Sequence, residues 1–368
     1  MTNISFNQVS IVEQYSEVPS RSEVDCSTDM GKFSMNIPII SANMPQITEE
    51  TMAACMYRNG GRGILHRFST IDDNVSMYRR ALSLLSEVRS KDNRNAPDQY
   101  AVGVSIGVQT SDKNRFTELY KAGARLFCID VAHGHHILVK KMIEWIRTQA
   151  EDVYLIAGNV ARSEGARDLA KWGVDAIKVG IGPGSVCATR KNTGVGTPQF
   201  SAIQNAKAGI DCSGCDGWNE DGTQIGGYDY RNVKIIADGG IKNVGDIPKA
   251  LAAGADAVMV GAVLAGTTET PGNVYPCPDT DLWNRQYYKV YGGSASGENK
   301  VSTGKEHKFV EGVMKTVPFK GKAKYILNEI RDGLRSSLSY SGASNMQEFK
   351  QKVKYEIMGE SGIQESKL

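Results

Sequence analysis

Eight short apolar runs alternate with helical patterns along 368 residues, and together they predict an α/β fold, a (β/α)8 TIM barrel. The runs are Ile37–Met44, Gly61–Phe68, Tyr100–Val108, Ala124–Ala132, Val153–Val160, Ala176–Gly182, Lys234–Ile241 and Ala257–Gly266. Their near-continuous apolar character suits parallel strands buried on both faces. Three joints, KAGARLFCID, KWGVDAIKVG and LAAGADAVMV, share one arrangement, in which a glycine ends a helix and a strand follows at once. Eight such units favour closure over an open doubly wound sheet.

Between the strands, Ile71, Val75, Tyr78, Leu82 and Leu85 recur at helical spacing behind a Ser69/Thr70 cap. Further helices fit Phe116–Ala122 and His136–Thr148, and Lys322–Leu338 fits the last barrel helix. Two stretches break the rhythm. Asp211–Asn232 is a polar, glycine-rich insertion before strand seven, expected at the N-terminal rim. Thr267–Phe319 lies between strand eight and the last helix, and a long glycine-containing excursion there reads as an active-site flap.

The bulk numbers exclude several classes. A net charge of +2 gives no electrostatic case for nucleic acid or a membrane surface. The N-terminal stretch lacks the basic and apolar regions of a signal peptide, and no apolar run is long enough to span a bilayer. The seven cysteines are mostly isolated, which fits reduced thiols in the cytoplasm rather than a disulfide framework. Cys212 and Cys215 have metal-ligand spacing without a second pair, so free surface thiols and a shared zinc both remain open.

In such a barrel the chemistry stands at the strand C-terminal ends. Strand one ends in Ser41, Ala42, Asn43 and Met44, strand two in His66 and Arg67, and strand four in Asp130 with His133 just beyond. Asn159 closes strand five; Asp238, Gly239 and Gly240 close strand seven; Gly261 and Ala262 close strand eight. Small residues after strands seven and eight suit a phosphate held by backbone amides, and Asp238 can accept two hydrogen bonds from a vicinal diol. Strand six runs into VGIGPGSVCATRKNTGVGTPQ, which places Cys187 in a glycine-rich loop where a thiol can attack an electrophilic carbon. Thr189 stands two residues on, within reach to relay a proton. The carbonyls of Gly182, Gly184 and Cys187 could converge on a monovalent cation. The bland readings are a small buried thiol and glycines that only permit turns; the glycines flanking Cys187 on both sides argue against the first.

That loop resembles the active-site loop of the IMP dehydrogenase/GMP reductase family. So do PSRSEVD (Pro19–Asp25), IPIISANM, DVAHGH (Asp130–His135), AGNV (Ala157–Val160), ADGGI and SYSGASNM (Ser339–Met346), in order along nearly the whole chain. The resemblance implies one catalytic domain over 1–368; dehydrogenases of the family generally insert a pair of small regulatory domains after strand two, but only Ser69–Gln99 separates strands two and three here, so no CBS domains are expected. It implies a Cys187 adduct at purine C2, coupled to hydride transfer with a nicotinamide cofactor, NADPH in the reductase. Ala42, Met44, Ser185, Asp238, Gly239, Gly240, Gly261, Ala262, Tyr291, Gly293 and Ser294 would hold the nucleotide, GMP or IMP. Asp130, Ala132, His133 and Arg67 would lie at the cofactor, and Gly182, Gly184 and Cys187 would hold K+. A homotetramer is implied as well.

Dehydrogenases of the family carry an Arg-Tyr pair in the flap to activate water, whereas Tyr291–Phe319 here contains no arginine. The stretch resembles reductase flaps, in which a glutamate follows GSAS. Here Gly297 takes that place and Glu298 comes one residue later, so either the flap backbone shifts or the relay is altered. The reading is therefore GMP reductase, with IMP dehydrogenase and a nucleotide-binding regulator as alternatives.

Overall fold

The computed structural model describes residues 3–92, 98–211, 230, 232–277, 286–292 and 313–365. Eight strands close into a barrel: β1 (Ile39–Ser41), β2 (Arg62–Leu65), β3 (Val102–Ile106), β4 (Leu126–Asp130), β5 (Tyr154–Val160), β6 (Ala176–Val179), β7 (Lys234–Asp238) and β8 (Ala257–Val260). Neighbouring strands are parallel, and β8 returns to β1 through Val258↔Ile39, Met259↔Ile40 and Val260↔Ser41. The helices that follow them are α1 (Glu50–Arg58), α2 (Ile71–Asp92), α3 (Thr110–Lys121), α4 (Ile137–Gln149), α5 (Ser163–Lys171), α6 (Gln199–Asp211), α7 (Asp246–Ala252) and α8 (Ala323–Tyr340). All eight expected strands are present. Most are shorter than their apolar runs, because the ends of the runs turn over the barrel rim, as where the Met44 amide returns to the Ala42 carbonyl at 2.8 Å.

Two apolar layers hold this arrangement. Along β4, Phe127 and Ile129 face the helices while Leu126 and Cys128 face inward, the two-residue period of a strand. Ile40, Ile64, Ile156, Ile236 and Met259 complete the inner layer. The N-terminal mouth is closed by a small hairpin, Thr28–Asp29 paired with Ser34–Met35. Phe33 at its turn stacks on Tyr100 at 5.4 Å and meets the edge of Tyr154 at 4.9 Å. The chain ends pair outside the barrel, Val9–Val12 against Lys354–Ile357.

Three helices differ from expectation, two of them for identifiable reasons. Helix α3 starts at Thr110, well before Phe116, because the Gln109 amide donates to the Asp112 carboxylate at 2.9 Å and caps it. Helix α2 has the expected Thr70 cap, bonded by the Asp73 amide at 3.1 Å. Its buried face, however, is Asn74, Met77, Tyr78, Ala81 and Leu85, with Ile71, Val75 and Leu82 at the margin. Asn74 turns inward because its side-chain amide is hydrogen-bonded there, donating to the His66 carbonyl at 3.0 Å and accepting from Arg115 at 2.8 Å. Helix α8 runs on past Leu338 to Tyr340.

The polar insertion joins α6 to β7, which places its ends at the N-terminal rim; Cys212 and Cys215 lie outside the described residues. The flap holds an antiparallel three-stranded sheet of Tyr275–Pro276, Tyr287–Gly292 and Met314–Pro318. Its aromatic and β-branched residues favour strand, a signal its glycines obscured. Among the described residues, no helix is long and apolar enough to cross a membrane.

Candidate active site

At the C-terminal mouth of the barrel the β6 loop turns sharply, the Cys187 amide bonding the Gly184 carbonyl at 3.1 Å. Cys187 is exposed, and its Sγ lies 3.1 Å from Thr189 Oγ1, the contact expected of a thiol with a relay hydroxyl. Three of the other described cysteines, Cys26, Cys55 and Cys128, are buried. Burial pushes the Cys26 and Cys55 thiols up to about 11 and that of Cys128 up to about 12. Arg190 threads between Gly182 and Gly196 and donates to the Thr197 carbonyl, which folds the loop on itself.

The flap reaches this loop. The Val313 amide bonds the Val186 carbonyl at 3.1 Å, one residue from Cys187. Tyr291, in the middle flap strand, is buried, and its hydroxyl lies against Gly261 together with Met44 and Ala42. Burial raises its pKa, while a hydrogen bond with Ser185 opposes that shift. Ala42, Met44, Ser185, Gly261 and Tyr291 thus converge from four separate segments.

The turn after β7 packs on the same loop. Gly239 has φ +91°, and a Cβ there would stand 3.0 Å from Pro183 Cγ, so glycine permits both the turn and the approach. Gly240 continues the turn at φ +83°. Asn159 uses both amide hydrogens, one on Asp238 Oδ2 at 2.8 Å and one on the Gly180 carbonyl at 2.9 Å. Ala262 lies partly buried, and Lys320 Nζ holds the carbonyls of Ala262 and Val263 at 3.2 and 3.0 Å.

Beneath these groups sits Lys178, a charged residue inside the barrel with 3% of its side chain exposed. Its ammonium lies 2.7 Å from Asp130 Oδ1, 3.3 Å from Asp238 Oδ2 and 3.3 Å from Asn43 Oδ1. Burial works against its charge, but the two carboxylates outweigh burial and keep it protonated. Burial likewise pushes Asp130 up, and Lys178 and Arg67 more than offset this, so its carboxyl stays below the usual carboxylate range. Arg67 Nη2 donates to the Asp130 carbonyl at 3.2 Å, whereas its buried Nε has no hydrogen-bond partner among the described residues. An unpartnered guanidinium nitrogen at a barrel mouth is a place for an anionic or carbonyl-bearing ligand group.

Ala132 and His133 are exposed just beyond β4, whose following loop is pinned to β5 by the Gly134 amide on the Asn159 carbonyl at 2.8 Å. His136 caps α4 by accepting from the Leu138 amide at 3.1 Å, and His135 pairs with Asp168 at 2.7 Å. Gly293, Ser294 and Glu298 lie outside the described residues. Lys178 and Lys320 carry no expectation in the sequence reading, and Asn159 stands there only as a strand end. The one signal for Lys178 is its charge within the apolar run AIKVGIG, where an unpaired ammonium is untenable.

Among the described residues, no group of three or more His, Cys, Asp or Glu side chains could hold a metal ion. The expected cation donors are carbonyls instead. They fit a hard cation in part, since the Gly184 carbonyl already accepts the Cys187 amide and the Arg190 side chain runs against Gly182.

A family model described as the IMP dehydrogenase / GMP reductase domain matches residues 3–368. The inosine-5'-monophosphate dehydrogenase of Nitrosopumilus maritimus is 30% identical over 487 aligned residues, covering 99% of this chain and 97% of that one. The GMP reductase of Albidiferax ferrireducens is 34% identical over 363 residues, covering 98% and 97%. Among solved structures, a cysteine-to-alanine variant of GMP reductase from Trypanosoma brucei, in complex with guanosine 5'-monophosphate, superposes with a TM-score of 0.86 at 28% identity, covering 100% of this chain and 98% of that one.

Proposed function

The chain belongs to the IMP dehydrogenase / GMP reductase family of oxidoreductases, and from that premise we propose that it is a GMP reductase. The observation that carries the choice is in the flap, where Tyr291–Phe319 has no arginine to form the water-activating pair of the dehydrogenases. Chain length supports it: β2 and β3 are joined by residues 66–101, room for one helix and a loop but not for a regulatory domain pair.

In this reading GMP lies across the mouth with its phosphate on the small residues of Ser185, Gly240, Gly261 and Ala262. Its ribose diol sits on Asp238. The Cys187 thiolate forms a bond to purine C2, the C2–N bond breaks, and the amino group leaves as ammonia after gaining a proton. Thr189 and Glu298 relay that proton. Bound NADPH, which Asp130, Arg67, Ala132 and His133 would hold, supplies a hydride to C2. The C2–S bond then breaks and the thiolate returns. The sum is GMP, NADPH and two protons to IMP, NADP+ and ammonium. Gly182, Gly184 and Cys187 would offer carbonyls to K+ across the loop. A cytoplasmic homotetramer completes the reading.

Purified protein is expected to oxidise NADPH with GMP and to release one ammonium per turnover. Reduction of NAD+ with IMP, and no oxidation of NADPH with GMP, would make it a dehydrogenase. Tight GMP binding without either turnover would make it a regulator.

A further inference from the structure

We propose that Lys178 is a positioning residue that fixes Asp238 and Asp130 as a matched pair at the floor of the site, and so sets its selectivity for a ribonucleotide. This rests on the purine-nucleotide reading of the site. An ammonium has three hydrogens to donate, and Lys178 meets three acceptors from three parts of the barrel: Asp130 at 2.7 Å, Asp238 at 3.3 Å and Asn43 at 3.3 Å. The arrangement is built rather than incidental. Gly158, opposite Lys178 in the ladder, leaves its path open, since a Cβ there would stand 2.6 Å from Lys178 Cβ.

The two carboxylates belong to different halves of the site. Asp238 shares its Oδ2 between Lys178 and Asn159 at 3.3 and 2.8 Å, which fixes the rotation of the carboxylate about its bond. Asp130 stands on the other side, beside Arg67, where the cofactor is placed. Without the ammonium, two acids and the Cys128 thiol would stand close together, with Arg67 as the neighbouring cation among the described residues. Asp238 would then turn away from its neighbour, and a diol would no longer find both oxygens in place. A site built to bond a hydroxyl discriminates strongly against the analogue that lacks it, and loses that power once its acceptor is misaligned.

The test is titration calorimetry of the full chain with GMP and with 2′-deoxy-GMP, no cofactor present. Wild type is expected to prefer GMP, and Lys178→Met to lose about tenfold or more of that preference. Lys178→Arg keeps a cation between the carboxylates and is expected to stay within about threefold of the wild-type preference. It carries the test alone where Lys178→Met does not fold. An unchanged preference in folded Lys178→Met, or equal binding of both nucleotides by folded Lys178→Arg, overturns the assignment. Wild type that binds GMP and 2′-deoxy-GMP equally overturns it too. Wild type that binds neither GMP nor IMP overturns the nucleotide reading, and this assignment with it.

Discussion

Replacing Asn159 with alanine removes two hydrogen bonds from one small region and leaves every charge in place. The amide holds Asp238 Oδ2 at 2.8 Å and the Gly180 carbonyl at 2.9 Å. The first is charge-assisted and contributes about 1.5–3 kcal/mol; the second, neutral, contributes about 0.5–1.5 kcal/mol. Only the first bears on the nucleotide directly. Lys178 still meets the same oxygen at 3.3 Å, so Asp238 keeps that ion pair and loses the contact that orients it. If that orientation reaches the ribose, the charge-assisted bond converts to a roughly 10- to 150-fold loss in kcat/KM for GMP. The loss should fall mainly on KM, because the ribose bonds are made alike in ground and transition states. The assay is steady-state NADPH oxidation over a range of GMP, with circular dichroism to establish that the variant is folded. A change below about threefold in a folded Asn159→Ala protein would refute the placing of the ribose on Asp238.

Three other outcomes are expected. Native-state alkylation at neutral pH should modify Cys187 well before Cys26, Cys55 or Cys128, whose thiols burial keeps protonated, and bound GMP should protect it; peptide mapping that finds Cys128 labelled first would contradict the site. Tyr154→Phe should leave stability unchanged or raise it by up to about 1 kcal/mol in urea unfolding, because the Tyr154 hydroxyl is buried without a hydrogen-bond partner among the described residues. A loss above about 1 kcal/mol would mean that the hydroxyl has a partner. Glu298→Gln should lower kcat by about 10²-fold with little change in GMP affinity, and an unaffected kcat would remove Glu298 from the proton relay.

The barrel was legible because its strands are buried on both faces, so that each appears as a compact apolar run whatever its neighbours. The strand-end rule then placed Asp130, Asp238, Cys187 and Gly261 at one mouth, and the structure brings Asp130 and Asp238 within reach of a single ammonium. That ammonium was not legible. Lys178 and Asp130 are 48 positions apart, and nothing in local spacing says that a lysine in an apolar run will find two acids inside a barrel. Other omissions share this cause. The bottom hairpin is made of two-residue strands, too short for any period, and is held by contacts of Phe33 with the distant Tyr100 and Tyr154. The rotated face of α2 depends on Asn74 meeting Arg115 from the next helix. The flap sheet pairs Tyr287–Gly292 with Met314–Pro318 across a long intervening segment, where glycines masked the strand signal.

The central claim is that Cys187 makes and breaks the bond to purine C2, and intact-mass analysis of enzyme acid-quenched during turnover of GMP tests it most directly. The account predicts a nucleotide adduct on the wild-type chain, placed on the Cys187 peptide by subsequent digestion and mapping, and absent from Cys187→Ala, which should also lose turnover. Continued turnover by Cys187→Ala would contradict it, as would an adduct mapped to any other residue.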